Sequence, residues 1–175
     1  KNEEGIGEIC LTGPTVMLGY YHMPEETKKV LVDGWFHTGD LGYMDGSYLY
    51  ITGRKKNVII TRNGKNVFPE ELEYYLGKVS LVAESMVWAA KDKDGQDDMI
   101  VATIRPDMEE VEAALGKEAA QDAAKVEQLL WNEVDEINKN LPLFKKIRKI
   151  SVRKEEFEKT TGKKIKRFVS ENKQM

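Results

Sequence analysis

Residues 53–76 read GRKKNVIITRNGKNVFPEELEYYL, and the fold of the chain turns on this stretch. A glycine and a basic run lead into Val58-Ile59-Ile60, a short β-branched segment suited to a strand. Asn63-Gly64 is a strong turn signal, because both residues tolerate the left-handed backbone that tight turns need. Pro69 suits the first position of a helix, and Glu70 and Glu71 suit its positive end. Leu72, Tyr75, Leu76 and Val79 then recur at helical spacing. Strand, turn and helix within one short window predict a chain that alternates between the two kinds of element.

The alternation continues downstream. Residues 83–90 and 99–105 read as strands, and the polar, Asp-rich segment 91–98 with Gly95 predicts a hairpin connection between them. Residues 111–140 read as mostly helical with a break near Gly116; Val126, Leu129, Leu130, Val134 and Ile137 form an apolar stripe, and Pro142 ends the run. Residues 147–152 read as a last strand, followed by a basic tail. The order after Gly53 is β, α, β, β, α, β. Helices packed on a short, mainly antiparallel sheet satisfy it, which is an α+β domain.

Upstream of Gly53 the texture differs. Glycines punctuate short strands at 8–12 and 47–52, and residues 24–30 predict a short helix with Pro24 in its first turn. This β-rich part, 1–53, has many turns and few long apolar runs, so it is short of material for a core of its own. The expected organisation is therefore a β-rich, incomplete part over 1–53, a short connection at 54–57 and a small domain over 58–175.

The 175 residues suffice for one ordinary domain, or for a small domain plus part of another. With 41% hydrophobic and 33% charged residues, the balance is globular rather than disordered. A net charge of −3 argues against a dedicated nucleic-acid binder. Cys10 is the sole cysteine, so there is no internal disulfide and no local metal-ligand spacing; it reads as a small buried strand residue. That usage fits a reducing, cytoplasmic setting. No apolar run approaches the ~20 residues needed to span a bilayer, and no signal peptide is visible. Lys1 in place of a methionine, leading quickly into an apolar segment, reads as a boundary inside a larger protein.

Four constellations could carry chemistry, and each also has a plain structural reading. In Gly34-Trp35-Phe36-His37-Thr38-Gly39-Asp40, an aspartate after a Thr-Gly turn can hold two vicinal hydroxyls, as a ribose requires; it can equally close the turn on its own backbone. In Gly53-Arg54-Lys55-Lys56, a guanidinium beside a glycine can approach a nucleotide closely, or can be a solvated basic turn. The segment from Asn63 to Glu73 can present a loop to a site, or be good turn and helix-start chemistry. In Phe157-Glu158-Lys159-Thr160-Thr161-Gly162-Lys163-Lys164-Ile165-Lys166-Arg167, lysines at a Thr-Thr-Gly turn can neutralise phosphate, or be a solvated tail.

Order and spacing bring these together. Gly7-Glu8-Ile9 with Gly13-Pro14 and Gly19-Tyr20, then Thr38-Gly39-Asp40, Gly53-Arg54, Gly64-x-Asn66 with Pro69-x-Glu71, and Lys164-Ile165-x-Arg167 follow in sequence. The succession resembles the C-terminal portion of the adenylate-forming (AMP-binding) superfamily of acyl-CoA and aryl-CoA synthetases, adenylation domains and luciferases. In detail it is most similar to bacterial long-chain fatty-acid CoA ligases.

The resemblance implies that 1–53 is the end of a large ATP-binding domain, 54–57 a hinge and 58–175 a small mobile domain. It implies that Asp40 and Arg54 bind the ribose of ATP or AMP, that Ile51 is an apolar contact near the nucleotide, and that Lys56 is the hinge residue. Gly64, Lys65 and Asn66 fall in the loop serving the thioester step, and Lys164 is the catalytic lysine of adenylation. Gly162 before Lys163 makes Lys163 a competing assignment, but Ile165 and Arg167 keep Lys164 in step. Asn57 departs from the acidic residue usual after the hinge lysine.

The implied reaction activates a fatty acid with ATP and Mg2+ as acyl-adenylate and transfers it to coenzyme A. None of these is expected to bind tightly to this chain, and no metal ligand is assigned. The implied partners are the missing N-terminal domain and those small molecules, without nucleic acid; peripheral contact with a membrane surface is compatible with this reading, and the oligomeric state is left open. The family's phosphate loop is absent from these residues, so the chain by itself is expected to be inactive. Readings kept open are an adenylation domain or aryl-CoA ligase and, from a different class, a nucleic-acid or peripheral membrane module using the basic tail from Lys145 to Arg167.

Overall fold

The computed structural model describes residues 5–91, 98–169 and 172–173. The chain divides into two units, Lys1–Val58 and Ile59–Met175.

The first unit is a sheet with one short helix. Gly7–Leu11 (β1) pairs antiparallel with Trp35–Asp45 (β3), which also pairs antiparallel with Leu31–Val32 (β2) and Tyr48–Arg54 (β4). The helix Pro24–Val30 (α1) starts at Pro24, as its missing N–H allows, and carries Glu25 and Glu26 in its first turn and Lys28 and Lys29 in its last, matching the helix dipole. Thr38-Gly39-Asp40, read above as a turn, instead lies inside β3. Glu8 pairs with Leu41 and Cys10 with His37, so a single β1 residue faces three residues of β3 and the motif bulges out of the ladder. Gly39 at φ 73° provides the left-handed backbone this bulge needs.

Among the described residues of this unit, no large apolar side chain is buried; only Gly42 and Gly53 fall in the buried class. Tyr43, Met44, Tyr48, Leu49, Tyr50 and Ile51 are exposed, and Tyr43 stacks on Tyr50 with ring centroids 5.2 Å apart. Lys55–Asn57 forms one 3-10 turn after β4.

The second unit holds the core. Ile59–Ile60 (β5) and Asn66–Val67 (β6) form a small hairpin around Asn63-Gly64, closed by Gly64 N donating to Thr61 O at 2.8 Å and Thr61 N donating to Lys65 O at 2.9 Å. Pro69–Leu76 (α2) begins where Pro69 and its two glutamates predicted. It ends at Gly77, so Val79 lies beyond the helix, packed against the core.

Val82–Lys91 (β7) pairs antiparallel with Asp98–Pro106 (β8), and Lys149–Val152 (β9) adds parallel to β8. The expected hairpin connection at 91–98 falls largely on residues 92–97, which lie outside the described residues. The long helical run divides as Met108–Leu115 (α3) and Ala123–Lys139 (α4). Gly116 at φ 81° stops α3, and the Asp107 side chain accepts from Glu109 N and Glu110 N of α3 as the Asp122 side chain does from Ala124 N and Lys125 N of α4. Leu72 and Leu76 of α2, Val126, Leu130 and Val134 of α4, and Val87, Ala102 and Ile104 of the sheet belong to one buried cluster. Burying each such side chain contributes about 1.5–3 kcal/mol.

Candidate functional site

In the first unit the bulge presents Asp40. Thr38 Oγ1 donates to Ile9 O at 2.8 Å and accepts from Asp40 N at 3.0 Å, so the threonine ties the bulge to β1 and sets the aspartate's backbone. Asp40 and Arg54 are direct cross-strand partners, and Arg54 Nε lies 3.0 Å from Asp40 Oδ1. Asp40 Oδ2 makes no further hydrogen bond among the described residues, so it can accept from a ligand hydroxyl. Both side chains are partly exposed, at 29% for Asp40 and 47% for Arg54. Ile51 pairs with Gly42, two residues beyond Asp40 in β3, and is 68% exposed. Lys56 lies exposed in the 3-10 turn after Arg54.

In the second unit, Gly64, Lys65 and Asn66 form the tip and return of the β5–β6 hairpin. Gly64 has φ 71°, and Lys65 N donates to Thr61 Oγ1 at 3.1 Å. Thr61 thus holds the loop from beneath while Gly64 and Lys65 stay exposed.

The tail carries Lys164 on a tight turn. Thr160 N donates to Lys164 O at 2.8 Å and Lys163 N donates to Thr160 O at 2.9 Å, while Lys159 bridges to Ile165. Lys163 takes the strained position, φ 60°, and Lys164 stands at the first bonded position after it. Several neighbouring cations are committed. Lys159 pairs with Glu84, Lys166 with Glu158 at 3.2 Å, and Arg167 with Glu73 while donating to Val87 O at 3.0 Å. Lys145 pairs with Glu71 at 2.8 Å, and Arg153 is buried over the Phe157 ring. Lys163 and Lys164, both exposed, make no ion pair among the described residues.

Electrostatics separate two glutamates. Burial pushes the Glu73 carboxyl above its ordinary value, an effect that Arg167 and the Val87 N–H oppose without cancelling. Burial works the same way on Glu8, but Lys55 and His37 outweigh it and hold the carboxyl below its ordinary value. Glu8 and His37 lie within motifs quoted above but carry no role of their own there, and Cys10, expected as a buried strand residue, is half-buried against His37. The only local signal was that Glu8 and Cys10, two apart in a strand, share a face. An open groove of about 440 Å³ in the second unit, lined by Trp131, Arg148 and Lys149 among others, contains none of the expected site residues.

No protein-family model matches the chain. It is 38% identical over 125 residues to a medium/long-chain-fatty-acid–CoA ligase of Mycobacterium tuberculosis, covering 70% of this chain and 22% of that protein. It is 47% identical over 87 residues to a long-chain-fatty-acid–CoA ligase of Bacillus subtilis, covering 49% of this chain and 15% of that protein. The chain therefore spans about a fifth or less of these curated relatives. Among solved structures, o-succinylbenzoate coenzyme A synthetase of Bacillus subtilis with ATP and magnesium ion is similar at TM-score 0.69 and 27% identity, over 91% of this chain and 29% of that one.

Proposed function

Because the chain belongs to the adenylate-forming superfamily, as the C-terminal portion of such an enzyme, we propose that its full-length protein is an AMP-forming fatty-acid CoA ligase, acting on a long-chain acid in the cytoplasm. What supports this most directly is that Asp40 and Arg54, assigned to the ribose through the family resemblance, stand opposite one another in β3 and β4 and touch at 3.0 Å. One carboxylate oxygen is held by the guanidinium and the other is left to accept from a ribose hydroxyl.

In the first half-reaction the fatty-acid carboxylate attacks the α-phosphorus of ATP, giving acyl-adenylate and pyrophosphate. Negative charge builds on the phosphoryl oxygens, and a fixed ammonium lowers that barrier. Lys164 supplies it, since its Nζ makes no ion pair among the described residues and its backbone is held by the turn. Magnesium neutralises phosphate charge when bound, and no residue of this chain is assigned to it. In the second half-reaction the thiol of coenzyme A displaces AMP, and the loop of Gly64, Lys65 and Asn66 serves that step, with Lys56 as the pivot between the two.

Two substitutions in the full-length protein test the division of labour. Lys164→Ala should cost adenylation about 2.7–4 kcal/mol, roughly 10²–10³-fold, by analogy with loss of one oxyanion donor. Thioester formation from supplied acyl-adenylate should change much less, and equal losses in both steps would refute the assignment. Lys56→Pro, which locks φ, should impair one half-reaction far more than the other; unchanged rates in both would remove Lys56 as the pivot.

A further inference from the structure

We propose that Glu8, Cys10 and His37 form a three-ligand site for a zinc-class divalent cation that cross-links β1 to β3 beside the bulge carrying Asp40. The donors are a carboxylate oxygen, a thiol sulfur and an imidazole nitrogen, all within 4.8 Å of one another. Cys10 Sγ lies 3.5 Å from His37 Nδ1, and His37 Nδ1 lies 3.3 Å from Glu8 Oε2. Around a tetrahedral zinc with ordinary bond lengths, sulfur and nitrogen donors stand about 3.5 Å apart and nitrogen and oxygen donors about 3.3 Å apart. The observed separations match both values, so the donors can enclose an ion with small side-chain movements.

The backbone explains the convergence. Cys10 and His37 are cross-strand partners, and Glu8 lies two residues before Cys10, on the same face of β1. All three side chains are partly buried, which limits competition from water while leaving a path of entry. The donor set of sulfur, nitrogen and one carboxylate selects zinc or cobalt over magnesium or calcium, which take oxygen ligands. Binding replaces the thiol proton with the metal: Cys10 releases H+ to solvent and its sulfur forms the new bond, Glu8 binds as carboxylate, and His37 binds through Nδ1 with its proton on Nε2. A water completes the tetrahedron.

Lys55 occupies the competing position. Its Nζ sits 3.1 Å from Glu8 Oε2 on a side chain that is 65% exposed, so it can swing into solvent when the metal arrives. A cross-link here has a physical use, because the described part of this unit buries no large apolar side chain and the β1–β3 ladder is interrupted between Glu8 and Cys10.

The test uses the 175-residue chain, reduced and metal-free. Titration with Co2+ should give a one-to-one complex with a near-ultraviolet thiolate-to-cobalt charge-transfer band, displaced by Zn2+. Cys10→Ser should abolish the band, and Cys10→Ser and His37→Ala should each weaken Zn2+ binding about tenfold or more. His22→Ala should leave binding unchanged. Lys55→Gln should tighten it, and this variant keeps every ligand, so it does not depend on the tolerance of the fold to ligand loss. Zn2+ should also slow amide exchange in β1 and β3. Absence of the charge-transfer band, a band that survives Cys10→Ser, or an affinity indifferent to Lys55→Gln would each overturn the site; unchanged exchange in β1 and β3 would overturn the cross-link.

Discussion

Glu73 shows how much a single side chain does in the second unit. It accepts from Val87 N at 2.7 Å and pairs with Arg167, which donates to Val87 O, so one carboxylate joins α2, β7 and the tail that carries Lys164. Burial raises its pKa, which fixes the sign of its pH dependence. The folded protein takes up this proton at a higher pH than the unfolded chain does. Glu73's contribution to stability therefore grows as pH falls through the raised pKa and is lost as pH rises through it. Measured against Glu73→Gln, which has no such titration, the wild-type chain should gain stability on going from neutral to mildly acidic pH. Urea unfolding at several pH values reads the difference, and a relative loss in acid would contradict burial as the dominant cause. Arg167 was visible in the sequence as part of Lys-Ile-x-Arg, but its partner was not, because Glu73 lies far away along the chain and only packing brings the two together.

At the scale of elements, helices and some of their ends are legible in the sequence and the bulge is not; Val79 lies past the end of α2, and α3 starts at Met108 rather than at 111. Pro69 with its two glutamates, and Gly116, mark boundaries by local backbone chemistry, and the helices start and stop there. Two-residue β6 leaves no trace in the sequence because a strand that short has no periodicity. Thr38-Gly39-Asp40 was read as a turn since its residues are turn-formers; β1 on one side and β4 on the other convert it into a bulge in a long strand. Gly39→Ala places a side chain at φ 73°, a strain of about 1–2 kcal/mol. In the full-length protein this substitution should lower stability by that amount in urea unfolding. It should also weaken ATP binding, because relief of the strain shifts Asp40 out of register with Arg54. Wild-type values for both would mean that the bulge does not govern the position of Asp40.

For the whole molecule, the two units differ in what holds them. The second has a continuous cluster from α2, α4 and the β7-β8-β9 sheet, whereas the first rests on strand pairing and polar contacts among its described residues. In the 175-residue chain, amides of β1, β3 and β4 should therefore exchange with solvent about tenfold or more faster than those of β7 and β8. Equal protection in the two units, read by hydrogen-exchange mass spectrometry, would show that the first has cohesion beyond what its burial accounts for.

The amino-acid order by itself determined the α+β character and the helix starts and stops marked by Pro24, Pro69 and Gly116, and its motif order carried the family resemblance that proposes Asp40, Arg54 and Lys164. Those features depend on local backbone preference, hydrophobic period and the spacing of short motifs. Tertiary structure alone decided that Asp40 faces Arg54, that Lys145, Lys159 and Arg167 of the basic tail pair with glutamates from other elements, and that Glu8, Cys10 and His37 share one place. Such pairings follow from strand register and packing between residues distant in the chain, and no local pattern encodes a register.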